Sequence, residues 1–141
     1  MQHKYTFKKS ERLCSRKEIQ SLFNNANSFS IYPFRILWLP INYNGQYTAK
    51  ILIAIPSKNI RKAVTRNLLK RRIKESYRKN KYELIDFLIN NKISCNVAFI
   101  YNAKDITNYK EIESKIILIL QRLKKELASM NPSIQNFVNC K

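Results

Sequence analysis

The stretch SKNIRKAVTRNLLKRRIKESYRKNK, residues 57–81, decides how the rest of the chain is read. From Lys58 to Lys81 eleven side chains are basic and one, Glu75, is acidic. At about 100° per residue, Arg66, Lys70, Lys74 and Arg78 succeed one another along one face, with Asn67 and Arg71 beside them. Val64, Leu68, Leu69 and Ile73 fall mainly on the other side, so the spacing predicts a helix from about Asn59 to Lys81. Like charges one turn apart cost a few tenths of a kcal/mol per pair, which makes such a ridge unfavourable unless a polyanion neutralises it. Five of the nine arginines (Arg61, Arg66, Arg71, Arg72, Arg78) lie here. Guanidinium suits phosphate, because it forks onto two oxygens and stacks on bases. A lysine-rich compositional bias would spread cations along the whole chain; this cluster is arginine-rich and nearly free of acids.

Upstream, Ser15 followed by Glu18 reads as a capping box opening a helix whose apolar stripe is Ile19, Leu22 and Phe23, closed by Asn24, Asn25 and Asn27. Ile31 to Tyr43 then reads as one strand, with Pro33 and Pro40 near its limits. Asn44-Gly45 is a hairpin signal, and the return strand, roughly Gln46 to Ile55, is apolar on both faces. Downstream, Tyr82 to Ile89 either extends the basic helix or forms a short second one. Ser94 to Tyr101 reads as a central strand. Asn108 with Glu111 caps a last helix whose stripe is Ile112, Ile116, Ile119, Leu120, Leu123 and Leu127, with Pro132 beyond its end and a frayed tail after it. This order of elements predicts an α+β fold, a two-layer sandwich of helices on one small sheet.

The chain has 141 residues, enough for a single domain, and 45% of them are hydrophobic. Lys and Arg number 27 against 9 Asp and Glu, a net charge of +18. Self-repulsion on that scale points to a polyanionic partner, nucleic acid first and an anionic membrane second. No apolar run approaches the ~20 residues of a spanning helix and the N-terminus lacks a signal-peptide core, so the expected location is cytoplasmic, with no membrane partner. Cys14, Cys95 and Cys140 are odd in number and widely spaced, which argues against a disulfide framework or a thiolate zinc site. With His3 the only histidine, a histidine-pair ribonuclease and a Cys-His nucleophile lack their parts. The nine scattered acids do not suggest a carboxylate-held metal either, so an autonomous nuclease is disfavoured.

The run from Ile55 to Arg78, with Ser57-Lys58, Ala63-Val64, Arg66-Asn67 and the basic helix, closely resembles the signature of the bacterial ribonuclease P protein subunit. Phe7, Arg12-Leu13 and the Ile19 to Phe23 helix also match, so the resemblance covers about residues 5–127. Two positions depart from it: Leu68 stands where the Arg-Asn-Arg motif has its second arginine, and Arg61 where a glycine is usual. The resemblance implies a sheet of about four strands with three helices, a left-handed βαβ crossover (ribosomal protein S5 domain 2-like) and an ordered core over about residues 5–130. It implies a subunit with no catalytic residue of its own, assisting a catalytic RNA that uses magnesium, bound mainly by RNA and substrate, to remove the 5′ leader from precursor tRNA. Contacts with that RNA would fall to Lys58, Lys62, Arg66, Asn67, Lys70, Arg71, Lys74 and Arg78. A cleft for the single-stranded leader would be lined by Arg12, Ile19, Phe23, Arg35 and Leu37, stacking platforms flanked by positive charge being what single strands favour. Ile19 cannot stack, and Phe23 reads equally as core. Phe34, Ile36 and Trp38 share the opposite face of the strand, unless a one-residue slip exchanges the two faces. One monomeric protein per RNA is expected. The competing reading is a ribosomal or RNA-chaperone protein of similar fold with no role in catalysis.

Overall fold

Local signals start the first and last helices where the sequence places them. In the computed structural model, which describes Phe7 and residues 9–43 and 48–130 (Lys9 by its backbone alone), a short 3₁₀ turn at Lys9–Glu11 precedes α1, Arg16–Asn25. The Ser15 hydroxyl accepts the Glu18 N–H at 3.3 Å, while the Glu18 carboxylate reaches away to Lys50 instead of closing a box. At the other end of the chain, the Asn108 side chain accepts the Glu111 N–H at 2.9 Å and opens α4, Tyr109–Ser129. All six residues of its expected stripe are buried.

The strands depart from the sequence reading in two ways. Ile31 to Tyr43 is not one strand: β1 (Asn27–Ile31) and β2 (Phe34–Ile41) form an antiparallel hairpin about Tyr32-Pro33, whose peptide bond is cis. Asn27 therefore starts a strand and does not close a helix. β3 (Ala49–Ala54) does not return along β2. It pairs in parallel with β4 (Ser94–Tyr101), which lies between them, and the sheet order is β1-β2-β4-β3. The Asn44-Gly45 signal and the start of the expected return strand, at residues 44–47, lie outside the described residues, as do His3, Cys140 and the C-terminal tail. Pro40 sits inside β2 without breaking the ladder. Its partner Cys95 gives its N–H to Thr48 on the β3 side, and β1 has already ended opposite Trp38, so no strand needs an N–H from Pro40.

Between β3 and β4 the chain forms two helices, α2 (Ala63–Asn80) and α3 (Tyr82–Asn91), giving four α-helices where three were expected. The break falls at Lys81, a buried lysine whose ammonium pairs with Glu11 and lies 5.9 and 5.7 Å from the Tyr77 and Tyr82 ring centres. Without a glycine at its C-terminus, α3 ends on Lys92 in the left-handed region at φ 52°. α2 buries Leu69, Ile73, Ser76 and Tyr77 against α4 and the sheet face that carries Ile36, Trp38, Ile51, Val97 and Phe99. The Tyr77 ring meets Phe99 edge-on at 6.0 Å and Phe7 at 5.7 Å. At about 1.5–3 kcal/mol per fully buried large apolar side chain, this layer dominates the stabilisation. Val64, assigned to the apolar side from its spacing, is 81% exposed, because at about 100° per residue it lies diametrically opposite buried Ile73, on the solvent side of α2 with Asn67 and Arg71.

α1 lies on the other face of the sheet, over a smaller cluster of Leu13, Leu22, Leu37 and Ala98, and covers only part of that face. Cys95 is buried in β4, where burial pushes its thiol up to about 12, and Cys14 is exposed.

Candidate nucleic-acid interface

The turn between β3 and α2 is anchored at three points, which fixes where its cations project. Pro56 O accepts the N–H groups of Asn59 and Ile60 at 3.0 and 3.2 Å, Asn59 Nδ2 donates to Tyr101 O at 3.4 Å, and the Ile60 side chain is buried. Arg66 completes the anchoring: its Nη1 donates to Ile60 O at 2.9 Å and Arg61 O at 2.7 Å. One residue of the expected ridge thus holds the loop in place, and Lys58, Arg61 and Lys62 project from that loop into solvent. Lys62 stands at the N-cap of α2 with no side-chain cap.

Along α2, Asn67 and Arg71 are exposed, and Lys70 and Lys74 are half-buried on the same flank as Arg66. Arg72 and Lys79 occupy the opposite flank, against α4: Arg72 Nη1 donates to Thr107 O at 2.7 Å, and the Lys79 ammonium lies 5.8 Å from the Tyr109 ring centre. Leu68 is partly buried on this α4 side. At the end of the ridge, Arg78 donates from Nε and Nη2 to the two oxygens of Glu75, at 2.9 and 2.7 Å, and Lys79 is 3.8 Å from the same carboxylate. The hydrogen bond from Arg78 holds the Glu75 carboxyl below the usual carboxylate range. A lowered carboxylate keeps its stabilising contribution above its unfolded value and loses it only as pH falls through the folded one, so the pair is intact at neutral pH. Glu75→Gln removes the acid within the ridge and releases the Arg78 fork. RNA affinity is expected to rise about threefold to tenfold, and the salt slope to steepen by up to about one unit, in filter binding across a salt series.

The uncovered part of the α1 face is a second surface. Register aligns Ser30, Arg35, Ile100 and Ala54 in one row across all four strands, with the first two exposed and the others half-buried. The next row, Ser28, Leu37, Ala98 and Leu52, runs beside it, and its Leu37 and Ala98 are buried in the cluster with Leu22 of α1. Glu18 reaches Lys50 at 3.2 Å and Asn96 at 3.4 Å, which fixes the rotation of α1 about its axis. At about 100° per residue, Arg16, Ile19 and Phe23 then lie on the opposite flank, along the open row. Phe23 is 50% exposed. Arg12 bridges to Ile51 on the free edge of β3, its guanidinium 5.5 Å from the Phe7 ring centre.

Of the expected cleft residues, the structure gathers Ile19, Phe23 and Arg35 around this row; Arg12 is corrected, because it pairs with core-facing Ile51 and sets its guanidinium against Phe7, which packs on Tyr77, and so lies on the α2 side of the sheet edge. Leu37 is corrected: at 6% exposure it belongs to the floor beneath α1 and offers no surface to a ligand. The faces of β2 are as expected without a one-residue slip, with Phe34, Ile36 and Trp38 in the core. Arg16, Ser30, Ala54 and Ile100 were missed. The last two become legible only once β4 is known to lie between β2 and β3, a pairing no local signal carries. Among the described residues, no three His, Cys, Asp or Glu side chains stand close enough to hold a metal ion. Nor is any described helix long and apolar enough to cross a membrane.

An anchored basic loop and helix beside a half-open mixed sheet define a cationic α+β protein of the polyanion-binding kind. The chain belongs to the ribonuclease P protein family: the Ribonuclease P family profile matches residues 7–124. It is 34% identical over 106 residues to the ribonuclease P protein component of Porphyromonas gingivalis, covering 74% of this chain and 77% of that one. The Clostridium novyi protein component is 33% identical over 121 residues, covering 82% and 95%. The fold matches the Staphylococcus aureus RNase P protein at a TM-score of 0.65 with 20% identity, over 82% of this chain and 97% of that one. The Thermotoga maritima RNase P protein matches at 0.62 with 25% identity, over 79% and 96%. The chain is thus the protein component of the endoribonuclease that processes the 5′ end of tRNA, and it associates with RNase P RNA.

Proposed function

We propose that this chain serves RNase P RNA in the cytoplasm as a non-catalytic subunit, one copy per RNA, by gripping the RNA with α2 and its loop and holding the precursor tRNA leader over the open row of the sheet. Magnesium belongs to the RNA and the substrate in this reading; the described side chains offer it no cluster. One observation carries the proposal, the continuity of the two surfaces. Ala54 closes the open row beside Ile100, which separates it from Arg35, and the next residue, Ile55, begins the anchored basic loop. A strand lying along the row therefore leads directly onto the cations that face the catalytic RNA. Arg35 supplies charge to its backbone, and Phe23 supplies the ring on which a base can stack.

Leader length tests this. The protein is expected to raise holoenzyme affinity for a precursor with a leader of several nucleotides and not for one with a single nucleotide. The double variant Phe23→Ala, Arg35→Ala should lose about tenfold of that gain while binding RNase P RNA as before. An enhancement independent of leader length contradicts the proposal.

A further inference from the structure

Two aliphatic side chains stand bare inside the cationic surface: Val64 is 81% exposed and Ile106 is 54% exposed. Val64, Leu68 and Arg72 follow one another at four-residue intervals on α2, and the Arg72 bond to Thr107 O, at 2.7 Å, draws the 104–107 loop alongside. The core holds that loop as well. The Tyr101 hydroxyl donates to Asp105 O at 2.6 Å and shares a 2.7 Å hydrogen bond with the Thr107 hydroxyl. Ile106 is thus presented to solvent by a segment tied down on both sides of it, and Leu68 lies half-covered on the same flank.

We propose that Val64, Leu68 and Ile106 form an apolar seat for an unpaired nucleotide of RNase P RNA, its base and ribose packing on aliphatic side chains where the resemblance leads one to expect an arginine. The inference rests on the reading that α2 lies on that RNA. The seat is continuous with the outer face of α2, where exposed Asn67 and Arg71 stand ready for a base edge and a phosphate. Lys104 is exposed on the loop that carries Ile106, and Lys110 is exposed in the first turn of α4. A second copy of a chain bearing +18 is a poor occupant, since like charge would accumulate around the contact.

The test compares Val64→Ser, Ile106→Ser and Arg71→Ala in the full chain, titrated against RNase P RNA across a salt series, with base-specific chemical probing of the complex. Each serine variant is expected to weaken binding by about threefold to tenfold with the salt slope unchanged, because apolar area is lost and no phosphate contact is. One unpaired base should regain reactivity in both. Arg71→Ala should instead flatten the slope by about one unit. If the serine variants bind as tightly as the parent while Arg71→Ala behaves as expected, the seat is wrong and the α2 interface stands. If Arg71→Ala also leaves the slope untouched, the interface reading itself fails. Sedimentation showing a protein dimer that Ile106→Ser dissociates would overturn the proposal in favour of a second copy.

Discussion

Replacing Lys62, Arg71 and Lys74 together with alanine is expected to weaken binding to RNase P RNA by about a hundredfold and to flatten the slope of log affinity against log salt by about two to three units. Each cation that neutralises a phosphate releases a condensed counterion, so the slope counts lost contacts independently of any change in shape. These three are chosen because they project from an anchored frame: Lys62 and Arg71 are exposed, and Lys74 is on the flank opposite α4. Arg66 would be a poorer probe. It bonds Ile60 O and Arg61 O, so Arg66→Ala would release the loop and lose affinity through Lys58 and Lys62 as well as through itself. Arg78 is poorer too, since Glu75 already takes part of its charge. An unchanged slope in the triple variant, with the fold intact by circular dichroism, would mean that this face of α2 meets solvent.

Tyr77→Ala is expected to destabilise the fold by about 3–5 kcal/mol, out of a total of about 5–15 for a domain of this kind. The ring is fully buried between α2 and the sheet, edge-on to both Phe99 and Phe7, and its loss leaves a cavity that three separate elements must close. Its hydroxyl is a different matter. No hydrogen-bond partner for Tyr77 Oη is found among the described residues, and burial pushes the phenol above its ordinary range, so it stays neutral through the working pH. Tyr77→Phe should therefore hold stability to within about 1 kcal/mol. Thermal melts of both variants check this; equal destabilisation by the two would show that the hydroxyl, and not the ring, holds α2 on the sheet.

Much of the fold was legible because its signals are local. Ser15 and Asn108 cap helices through a side chain and an N–H three residues apart, and the stripe of α4 is a matter of period alone. β4 was readable as a central strand because Cys95, Val97, Phe99 and Tyr101 make one face apolar while Ala98 and Ile100 carry apolar character onto the other. β1 was not: Asn27-Ser28-Phe29-Ser30-Ile31 has only two large apolar side chains, Phe29 and Ile31, and its turn is made by Tyr32-Pro33, which falls at the start of the single strand expected from Ile31. The partner of β3 was hidden because a parallel pairing across about forty residues leaves no mark in the turn chemistry that suggested a hairpin. At the site, the cations were visible and their commitments were not. That Leu37 lies under α1 is a consequence of tertiary placement; that Arg78 holds Glu75 three residues away and that Arg66 reaches back to the loop just before the helix are local contacts, which spacing permits but does not single out. Val64 was grouped with Leu69 and Ile73 by residue type, although nine residues at about 100° each place it opposite Ile73, on the solvent side.

The central claim is that the protein lends binding to a catalytic RNA and does no bond-breaking itself. Its most direct test is precursor tRNA cleavage at low magnesium by RNase P RNA alone, by the RNA-free protein alone, and by the two together. The account expects negligible cleavage by the protein, slow cleavage by the RNA, and a rate increased by at least about tenfold when they are combined, with the cut at the 5′ end of the mature tRNA. Cleavage by the protein stripped of RNA, or a combined rate no greater than that of the RNA, would contradict it.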